Sequence, residues 1–387
     1  MSWKRMPPDH LFITGCYRSG TTLMEKLLHQ HRQVSVASQP APVLYFLAKE
    51  RFLARRGLVR RYPIDSLVGE TQYTVDDFTN YLEGLTLTDS DLDELFSRLA
   101  DYRMGQWTPE ILEHRRSLHP GPFVDVQKQI HALAAARLGQ GGSALIGGKE
   151  ILCEEFVPHF LAHGHRAIII VRDPRDVIAS LDYATRDNLT GNHRPTLYSL
   201  RLWRKSVAFS IALSQEPRFI SVRFEDLVRQ TQSVVNRVTD FLGLEHFPFN
   251  EVERLGIRTQ SGDQWRGNSS FEDSNVISTS AVGRFVDVLP RLVVEYVEAL
   301  TRTEMLLLGY KPVTDRPLND QLLASFQESA AVHERFESDY ATHPEQVQQE
   351  IRRLEMLEQI TPAAPTEARA MFIFEQAYEQ LRAAVRL

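Results

Sequence analysis

The stretch GCYRSGTT, Gly15 to Thr22, decides the fold of this chain of 387 residues. Its two glycines stand five residues apart, as in phosphate-binding loops of the GxxxxGK[ST] type, and it follows the apolar run LFIT, Leu11 to Thr14. In such a loop the backbone N–H groups and the helix dipole form an anion site. Thr21 stands where nucleoside triphosphatases have a lysine, and the guanidinium of Arg18 suits a tetrahedral oxyanion. The stretch therefore predicts an oxyanion loop; a tight turn capped by Thr21 or Thr22 is the alternative.

Three other apolar runs predict buried strands. They are SALIGG before Lys149, AIIIV at 167–171 and FISVRF at 219–224. Helical periodicity follows AIIIV and FISVRF, as it follows LFIT, and this alternation is typical of an α/β fold with a parallel sheet. We expect a P-loop-like parallel sheet flanked by helices, with ligands at the carboxyl ends of the strands. A catalytic domain over 1–313 would carry a helical insert at about 42–142, and a helical extension would occupy 314–387.

Charge and cysteine content limit the function classes. The formal net charge is -6, and the tail from Asp315 onward accounts for it with thirteen acidic and seven basic residues. The rest is neutral overall, so we expect no nucleic-acid partner. Cys16 and Cys153 are too few for a disulfide framework, and no apolar run is long enough to span a bilayer. These features predict a cytoplasmic protein without a transmembrane segment.

A second motif, IIIVRDPRDVIASL, starts at Ile168. Arg172 falls at the end of the strand, Asp173 can cap the next helix, and Pro174 fits its first turn. Ser180 lies about two turns into that helix. Two alternatives remain at this point: a strand ending in an aspartate also resembles the magnesium site of triphosphatases, and the charged residues of the motif could form surface ion pairs of little energetic value.

Taken together, the motifs resemble the sulfotransferases that use 3′-phosphoadenosine 5′-phosphosulfate (PAPS), and most closely the branch that includes tyrosylprotein and bacterial sulfotransferases. The resemblance continues in VRFEDLV at 222–228, in GNSSF at 267–271, in STSAVGRF at 278–285 and in LGYKP at 308–312. It spans roughly residues 10 to 313 and implies transfer of a sulfuryl group to an acceptor, most commonly a hydroxyl, with release of adenosine 3′,5′-bisphosphate (PAP).

The resemblance also assigns the donor site. The loop around the 5′-phosphosulfate would consist of Arg18, Ser19, Gly20, Thr21 and Thr22. The 3′-phosphate would be bound by Arg172 and Ser180. Further contacts to the donor would come from Arg223, Ser269, Ser270 and Arg284. For Arg223, an ion pair with Glu225 or Asp226 at the strand end is the alternative.

The catalytic residues divide into a cation and a base. By resemblance, Lys149 would stand beside the sulfuryl group, where a fixed cation stabilises the charge that develops in the transition state. The position of the relatives' catalytic glutamate holds Gln39, which cannot act as a base and would instead orient the acceptor. Either another group takes the proton or the acceptor is acidic enough to need less help. We expect Glu150 to be the base, and the lesser candidates are Glu70, His119, Asp125 and His131. No metal site is predicted, because no His or Cys residues show ligand spacing.

The acceptor class is open at this stage. The segment RFLARRGLVRR, starting at Arg51, could bind an anionic acceptor or a membrane surface, although a solvated helix face is the simpler interpretation. Its neighbours Tyr45, Phe46, Phe52 and Tyr62 are expected in the core. We expect a small-molecule or conjugated acceptor, and the sequence leaves a homodimer open. A Mg-ATP-dependent phosphotransferase and a non-catalytic nucleotide-binding protein are the competing functions.

Overall fold

The computed structural model describes residues 8–58, 62–65, 73–102, 108–140, 142–185, 194–259, 262–267, 269, 271, 276–315, 320–335 and 343–385. The strands found in these residues are β1 (Asp9–Gly15), β2 (Val34–Ser38), β3 (Thr86–Leu87), β4 (Gly121–Pro122), β5 (Leu145–Lys149), β6 (Arg166–Val171) and β7 (Phe219–Arg223). Five of them form a parallel sheet in the order β2-β5-β1-β6-β7, and β3 pairs with β4 in antiparallel orientation.

The predicted α/β class is confirmed, since the four apolar runs supply β1, β5, β6 and β7. The helices in the described residues are α1 (Thr21–His29), α2 (Pro42–Ala54), α3 (Val75–Glu83), α4 (Asp89–Ala100), α5 (Phe123–Arg137), α6 (Val157–Ala162), α7 (Pro174–Asp182), α8 (Thr196–Ala212), α9 (Phe224–Arg229), α10 (Thr231–Leu242), α11 (Phe249–Leu255), α12 (Phe285–Val288), α13 (Arg291–Leu307), α14 (Asp320–Ser325), α15 (Ala330–His333), α16 (Pro344–Glu358), α17 (Pro365–Phe372) and α18 (Glu375–Val385). In this part of the chain, no helix combines the length and apolar character that crossing a membrane requires.

Helices cover both faces of the sheet. Ile13 on β1 packs in one core with Met24 of α1, whereas its neighbour Phe12 packs on the other face with Tyr45 of α2 and Phe160 of α6. Successive residues of a strand point to opposite faces, so β1 is buried on both sides, as its unbroken apolar run predicted.

The helical extension packs on the catalytic domain through buried ion pairs. Arg204 of α8 pairs with Glu350 of α16, and Arg353 of α16 lies 2.8 Å from Glu304 of α13. Burial alone would raise the pKa of Glu350, but Arg204 and Arg353 hold this pKa below its usual range. In the structure, helix α16 of this tail therefore docks on α8 and α13.

The arginine-rich segment of the insert is neutralised by neighbouring carboxylates. Arg51 lies 2.6 Å from Asp91, and Arg56 lies 3.3 Å from Asp77. Arg60 and Arg61 lie outside the described residues. Arg55 is exposed, with its guanidinium 4.9 Å from the centre of the Tyr81 ring. The described part of this segment therefore agrees with the simpler interpretation, a solvated helix face.

Candidate active site

Three loops at the carboxyl edge of the sheet hold residues in a left-handed conformation that only glycine adopts readily. Arg18 follows β1 with φ 57, Gln39 follows β2 with φ 46, and Leu152 follows β5 with φ 57. Such a conformation costs about 1 kcal/mol or more for a residue with a side chain, and it collects at functional sites. The sheet edge where the sequence predicted ligand binding is therefore also the edge with strained backbone.

Hydrogen bonds join these loops into one rigid unit. The N–H of Gln39 donates to the carbonyl of Lys149 at 2.9 Å, and the N–H of Leu152 donates to the carbonyl of Gly15 at 3.1 Å. The N–H of Cys153 donates to Oγ1 of Thr14 at 3.1 Å. Residues after β1, β2 and β5 consequently keep fixed positions relative to one another.

The predicted oxyanion loop depends on its two glycines. A Cβ on Gly15 (φ 151) would lie 2.5 Å from the carbonyl oxygen of Ile170, and one on Gly20 (φ 98) would lie 2.4 Å from the ring of Phe224. Helix α1 starts directly after Gly20, and no side chain caps it. The capped-turn alternative is therefore wrong, and the first N–H groups of α1 lie at the positive end of the helix dipole.

The arginines predicted to bind the donor phosphates come together. Nε of Arg18 donates to Oγ of Ser180 at 3.1 Å, and Nη1 of Arg172 donates to the carbonyl of Arg18 at 3.0 Å. The Arg172 guanidinium also lies 4.6 Å from the centre of the Phe224 ring. Burial, and then the charge of Arg172, lower the pKa of Arg18 to about 10. Two cations held so close favour a polyanionic ligand.

The aspartates of the second motif have structural roles. Asp173 caps α7, Pro174 starts it, and Arg175 lies 2.6 Å from both Asp173 and Glu298 in buried ion pairs. The Asp176 carboxylate accepts hydrogen bonds from two backbone N–H groups, those of Gly283 at 2.7 Å and Phe285 at 2.9 Å. Because these contacts occupy both carboxylates, the motif gives no support to a magnesium-triphosphate site. Its ion pairs are buried, whereas the other alternative expected exposed ones.

The late segment of the catalytic domain is attached to this cluster. Besides the two bonds to Asp176, Nη2 of Arg172 donates to the carbonyl of Ala281. Arg284 lies on this segment, with its guanidinium 4.5 Å from the centre of the Phe271 ring. Ser269 accepts a hydrogen bond from the N–H of Phe271 at 3.2 Å, and Ser270 lies outside the described residues.

Arg223 stands at the end of β7, with surroundings that fit the alternative interpretation. Its guanidinium lies 4.4 Å from the centre of the Tyr310 ring and 3.8 Å from the carboxylate of Asp226. Glu225 instead accepts from the Tyr310 hydroxyl at 2.8 Å. A role of Arg223 in donor binding stays a prediction.

Lys149 and Glu150 lie side by side at the end of β5, and both are buried. Burial lowers the pKa of Lys149, and the carboxylates of Glu25 and Glu150 oppose this change. Burial raises the pKa of Glu150 to about 8, against the opposing charge of Lys149 and hydrogen bonds from the Ala41 N–H and the Gln39 side chain. A carboxyl group with such a pKa can take up a proton near neutral pH.

Glu150 and Gln39 line a narrow pocket of about 20 Å³ with mostly apolar walls. The residues that line the pocket are Tyr17, Gln39, Pro42, Phe46, Tyr62, Ile64, Tyr102, Glu150, Ile151 and Cys153. Tyr17 belongs to the oxyanion loop, so the pocket and the loop share a wall. Arg194, itself buried, lies with its guanidinium 5.2 Å from the Tyr17 ring centre and 5.3 Å from that of Tyr62.

The other candidate bases do not line this pocket in the described part of the chain. His119 and Asp125 are exposed, His131 is buried beside Gln127, and Glu70 lies outside the described residues. Tyr45 and Phe52 belong to the core as predicted. Phe46 packs against this core from a partly buried position, Tyr62 is partly buried, and both line the pocket. Sequence reasoning also missed Tyr17, Tyr102 and Arg194, for which the sequence offers no distinctive signal.

The fold and the site define a class of protein: a P-loop-like α/β protein with a glycine-dependent loop and two close arginines at the carboxyl edge of its sheet. Two family models then match the chain, one described as "Sulfotransferase family" over residues 8–117 and one described as "Sulfotransferase domain" over residues 152–305. The two models together cover most of the chain, so the chain belongs to the sulfotransferases, as its motifs predicted.

Solved structures of sulfotransferases resemble the chain only distantly. A sulfotransferase domain from the curacin biosynthetic pathway is 18% identical, with 79% of this chain and 99% of that chain covered and a TM-score of 0.42. A sulfotransferase domain from the Synechococcus PCC 7002 olefin synthase is 17% identical, with 80% and 98% covered and a TM-score of 0.45. No curated protein matches the chain in sequence.

Proposed function

We propose that this sulfotransferase transfers the sulfuryl group to the hydroxyl of a flat, apolar acceptor, with Glu150 as the base. The observation that carries the proposal is the contact between the Glu150 carboxyl and the Gln39 amide inside an aromatic pocket that shares Tyr17 with the oxyanion loop. A hydroxyl in this pocket would meet the carboxyl group on one side and the donor loop on the other.

The donor site has the chemistry that PAPS requires. Arg18 and Arg172 supply two buried guanidinium groups, Ser180 supplies a hydroxyl, and the start of α1 supplies backbone N–H groups. Within the described residues, the buried Nε of Arg172 has no hydrogen-bond partner, so it is available to a phosphate oxygen. Bound PAPS supplies a sulfuryl group activated by its anhydride bond to phosphate.

The chain's own residues then have separate tasks. Arg18 and Arg172 bind and orient the donor phosphates. Lys149 provides an ammonium group for the charge that builds up on the departing phosphate oxygen. Gln39 donates a hydrogen bond that positions Glu150, and Glu150 accepts the acceptor's proton.

The pocket walls argue for a flat aromatic acceptor that enters when these side chains move apart, since the closed pocket has a volume of only about 20 Å³. Four of the lining side chains are aromatic, and Gln39 and Glu150 are the polar groups among otherwise apolar or phenolic walls. Aromatic rings pack on one another in preferred geometries, which gain about 1 kcal/mol beyond the burial of area. A sugar hydroxyl would leave its other polar groups without partners against these walls.

The acceptor proposal is tested by a screen with radiolabelled PAPS. Para-nitrophenol and naphthol are the aromatic probes, and cyclohexanol and glucose are the non-aromatic ones. We expect labelled product from the phenols, with kcat/KM at least about tenfold above that for cyclohexanol, because a phenol is more acidic and stacks on the walls. Equal or better turnover of glucose would overturn the acceptor assignment while leaving sulfuryl transfer intact.

Replacing Arg172 with Ala is expected to weaken PAP binding by about tenfold to a hundredfold, since a hydrogen bond to a charged group contributes about 1.5–3 kcal/mol. Calorimetry with PAP measures this change. Arg166→Ala is the matched control, because Arg166 starts the same strand β6 at its other end and donates to the carbonyl of Phe241 at 2.8 Å. An affinity of Arg172→Ala within twofold of the control would contradict the role of Arg172.

We also propose that the protein works in a reducing, cytoplasmic compartment. The free, buried thiols of Cys16 and Cys153 support this proposal. A conjugated acceptor that presents its phenol to the pocket fits as well as a small molecule. The absence of a nucleic-acid partner and the formation of a homodimer stay predictions.

A further inference from the structure

Two histidines and a glutamate converge on the side of the molecule where the insert meets the sheet domain. Nδ1 of His159 lies 2.9 Å from Oε1 of Glu83, and Nε2 of His163 lies 3.5 Å from Oε2 of the same carboxylate. The two imidazole rings are 4.4 Å apart between centres. One ligand atom from each residue lies within 4.8 Å of the other two.

We propose that Glu83, His159 and His163 form a Zn²⁺ site that joins the insert to the sheet domain. Glu83 is the last residue of α3 in the insert, His159 lies on α6, and His163 directly follows α6. The prediction of no metal site overlooked His159 and His163, whose spacing of four suits two ligands on one helix face. Glu83 lies 76 positions before His159, and only the fold brings it close. The site takes no part in sulfuryl transfer and stands independently of the proposed function.

The distances suit zinc with little rearrangement. Zn–N and Zn–O bonds of about 2.0–2.2 Å in a tetrahedron place neighbouring ligand atoms about 3.3–3.5 Å apart. The observed separations of 2.9 Å and 3.5 Å run to the two different oxygens of Glu83 and lie near this value. All three ligand atoms lie within 4.8 Å of one another, so small side-chain rotations would draw them around the metal. Two imidazoles and one carboxylate are a donor set that selects zinc over magnesium or calcium. Glu83 and His163 are partly exposed, so water can supply a fourth ligand.

The histidine at the end of α6 already has the tautomer that a metal needs. Nδ1 of His163 lies 2.9 Å from the carbonyl oxygen of His159. A carbonyl can only accept, so Nδ1 carries the proton and Nε2 presents its lone pair towards Glu83. Metal-bound histidines usually donate their second N–H in this way. For His159, binding through Nδ1 moves its proton to Nε2, which is buried without a hydrogen-bond partner in the described residues.

The carboxylate is needed for charge balance. The Lys128 ammonium donates to the carbonyl of His163 at 3.2 Å, so a positive charge already lies near the site. Glu83 offsets this charge and gives the incoming cation an anionic ligand. The contribution of Glu83 to affinity should therefore exceed that of a neutral ligand.

Titration of the untagged, chelator-treated full chain with Co²⁺ tests the site, because tetrahedral Co²⁺ with histidine ligands absorbs visible light. We expect a visible band that Zn²⁺ abolishes and Mg²⁺ does not, and a rise of a few degrees in Tm on adding Zn²⁺ in excess of its Kd. Glu83→Gln and His163→Ala should each raise the Kd for Zn²⁺ at least about tenfold. Both residues are partly exposed, so these variants keep the test valid if His159→Ala fails to fold.

His246→Ala is the matched control, because His246 and Asp240 form an exposed pair at 2.6 Å. It should leave the band and the zinc affinity unchanged. The site is disproved if no visible band forms, or if Glu83→Gln and His163→Ala bind zinc as the unaltered protein does. In that case the three residues form only a hydrogen-bonded cluster.

Discussion

Replacing Lys149 with Met is expected to lower kcat by about a hundredfold or more, which corresponds to about 3–4 kcal/mol of lost transition-state stabilisation. The ammonium acts on charge that develops only as the sulfuryl group leaves, so the affinity for PAP should stay within severalfold. Methionine is unbranched and only one atom shorter than lysine, and it suits a position that is only 2% exposed. Single-turnover rates with radiolabelled PAPS and para-nitrophenol, together with calorimetry with PAP, measure the two quantities.

Lys26→Met is the matched control for this experiment. Lys26 is also buried, and it lies 3.1 Å from Glu25. The same Glu25 carboxylate opposes the lowering of the pKa of Lys149. The control removes a positive charge from the same surroundings and leaves the end of β5 intact. If both variants lost kcat equally, the loss at Lys149 would reflect general electrostatics, and its assigned role would be wrong.

Most of the sheet could be predicted because four of its strands are short, nearly continuous apolar runs. The exception is β2, whose sequence VSVAS alternates apolar and small polar residues. Such alternation is typical of a strand with one exposed face. In the structure every residue of β2 is buried, since helices cover both sides of this edge strand. Small serines tolerate that burial, so the alternating pattern did not predict that β2 is buried on both faces.

The donor side of the site could be predicted for a topological reason. In a parallel sheet, residues that follow neighbouring strands meet at one edge, so Arg18 after β1 and Arg172 after β6 had to approach each other. The two strands are hydrogen-bonded neighbours in the sheet. Arg172 indeed donates to the carbonyl of Arg18.

The acceptor side could not be predicted in the same way. Phe46, Tyr62 and Tyr102 come from the helical insert, and no strand order fixes where an insert places its side chains. An aromatic residue that lines a pocket also has the same sequence pattern as one in a core. Only the tertiary contacts separate Tyr45, which packs against Phe12, from its neighbour Phe46.

The proposal for the base rests on the sequence and the structure together. The sequence alone showed that an amide, Gln39, occupies the position of the expected carboxylate. The structure places the Glu150 carboxyl against this amide, with Gln39 in a strained conformation at φ 46. In the proposed mechanism Glu150 would supply, from just after β5, the carboxyl group that the resemblance places in the loop after β2.

Glu150→Gln is expected to lower kcat/KM with naphthol, which stays protonated over this pH range, by about a hundredfold or more, the usual contribution of a positioned base. For the unaltered enzyme, kcat/KM should rise with pH up to about 8 and level off above it, because only the ionised Glu150, with its pKa of about 8, accepts a proton. The glutamine variant should lack this rise. A variant that kept both the rate and the rise would exclude Glu150 as the base.

The free energy of unfolding provides an independent check on that pKa. Burial raises the pKa of Glu150 from an ordinary value of 4.5 to about 8 in the folded protein. Between these two values the folded state holds a proton that the unfolded chain has released, so this group makes stability fall as pH rises. Urea unfolding at pH 5 and pH 8 should therefore show a smaller loss of stability in Glu150→Gln than in the unaltered protein.

Exchanging the two side chains tests whether activity needs only a carboxyl group in the pocket or needs that group at position 150. In Gln39→Glu/Glu150→Gln the carboxylate moves to the loop after β2 and the amide to the end of β5, while their mutual contact can persist. We expect the exchange to recover at least about tenfold of the activity lost in Glu150→Gln, since the proton acceptor returns to the same pocket. Gln39→Glu alone should retain activity, with its pH rise shifted upward by the second carboxylate. If the exchanged enzyme were as inactive as Glu150→Gln while PAP affinity and stability were normal, the pocket would need its base at the end of β5, next to Lys149, and the contact with Gln39 would be structural only.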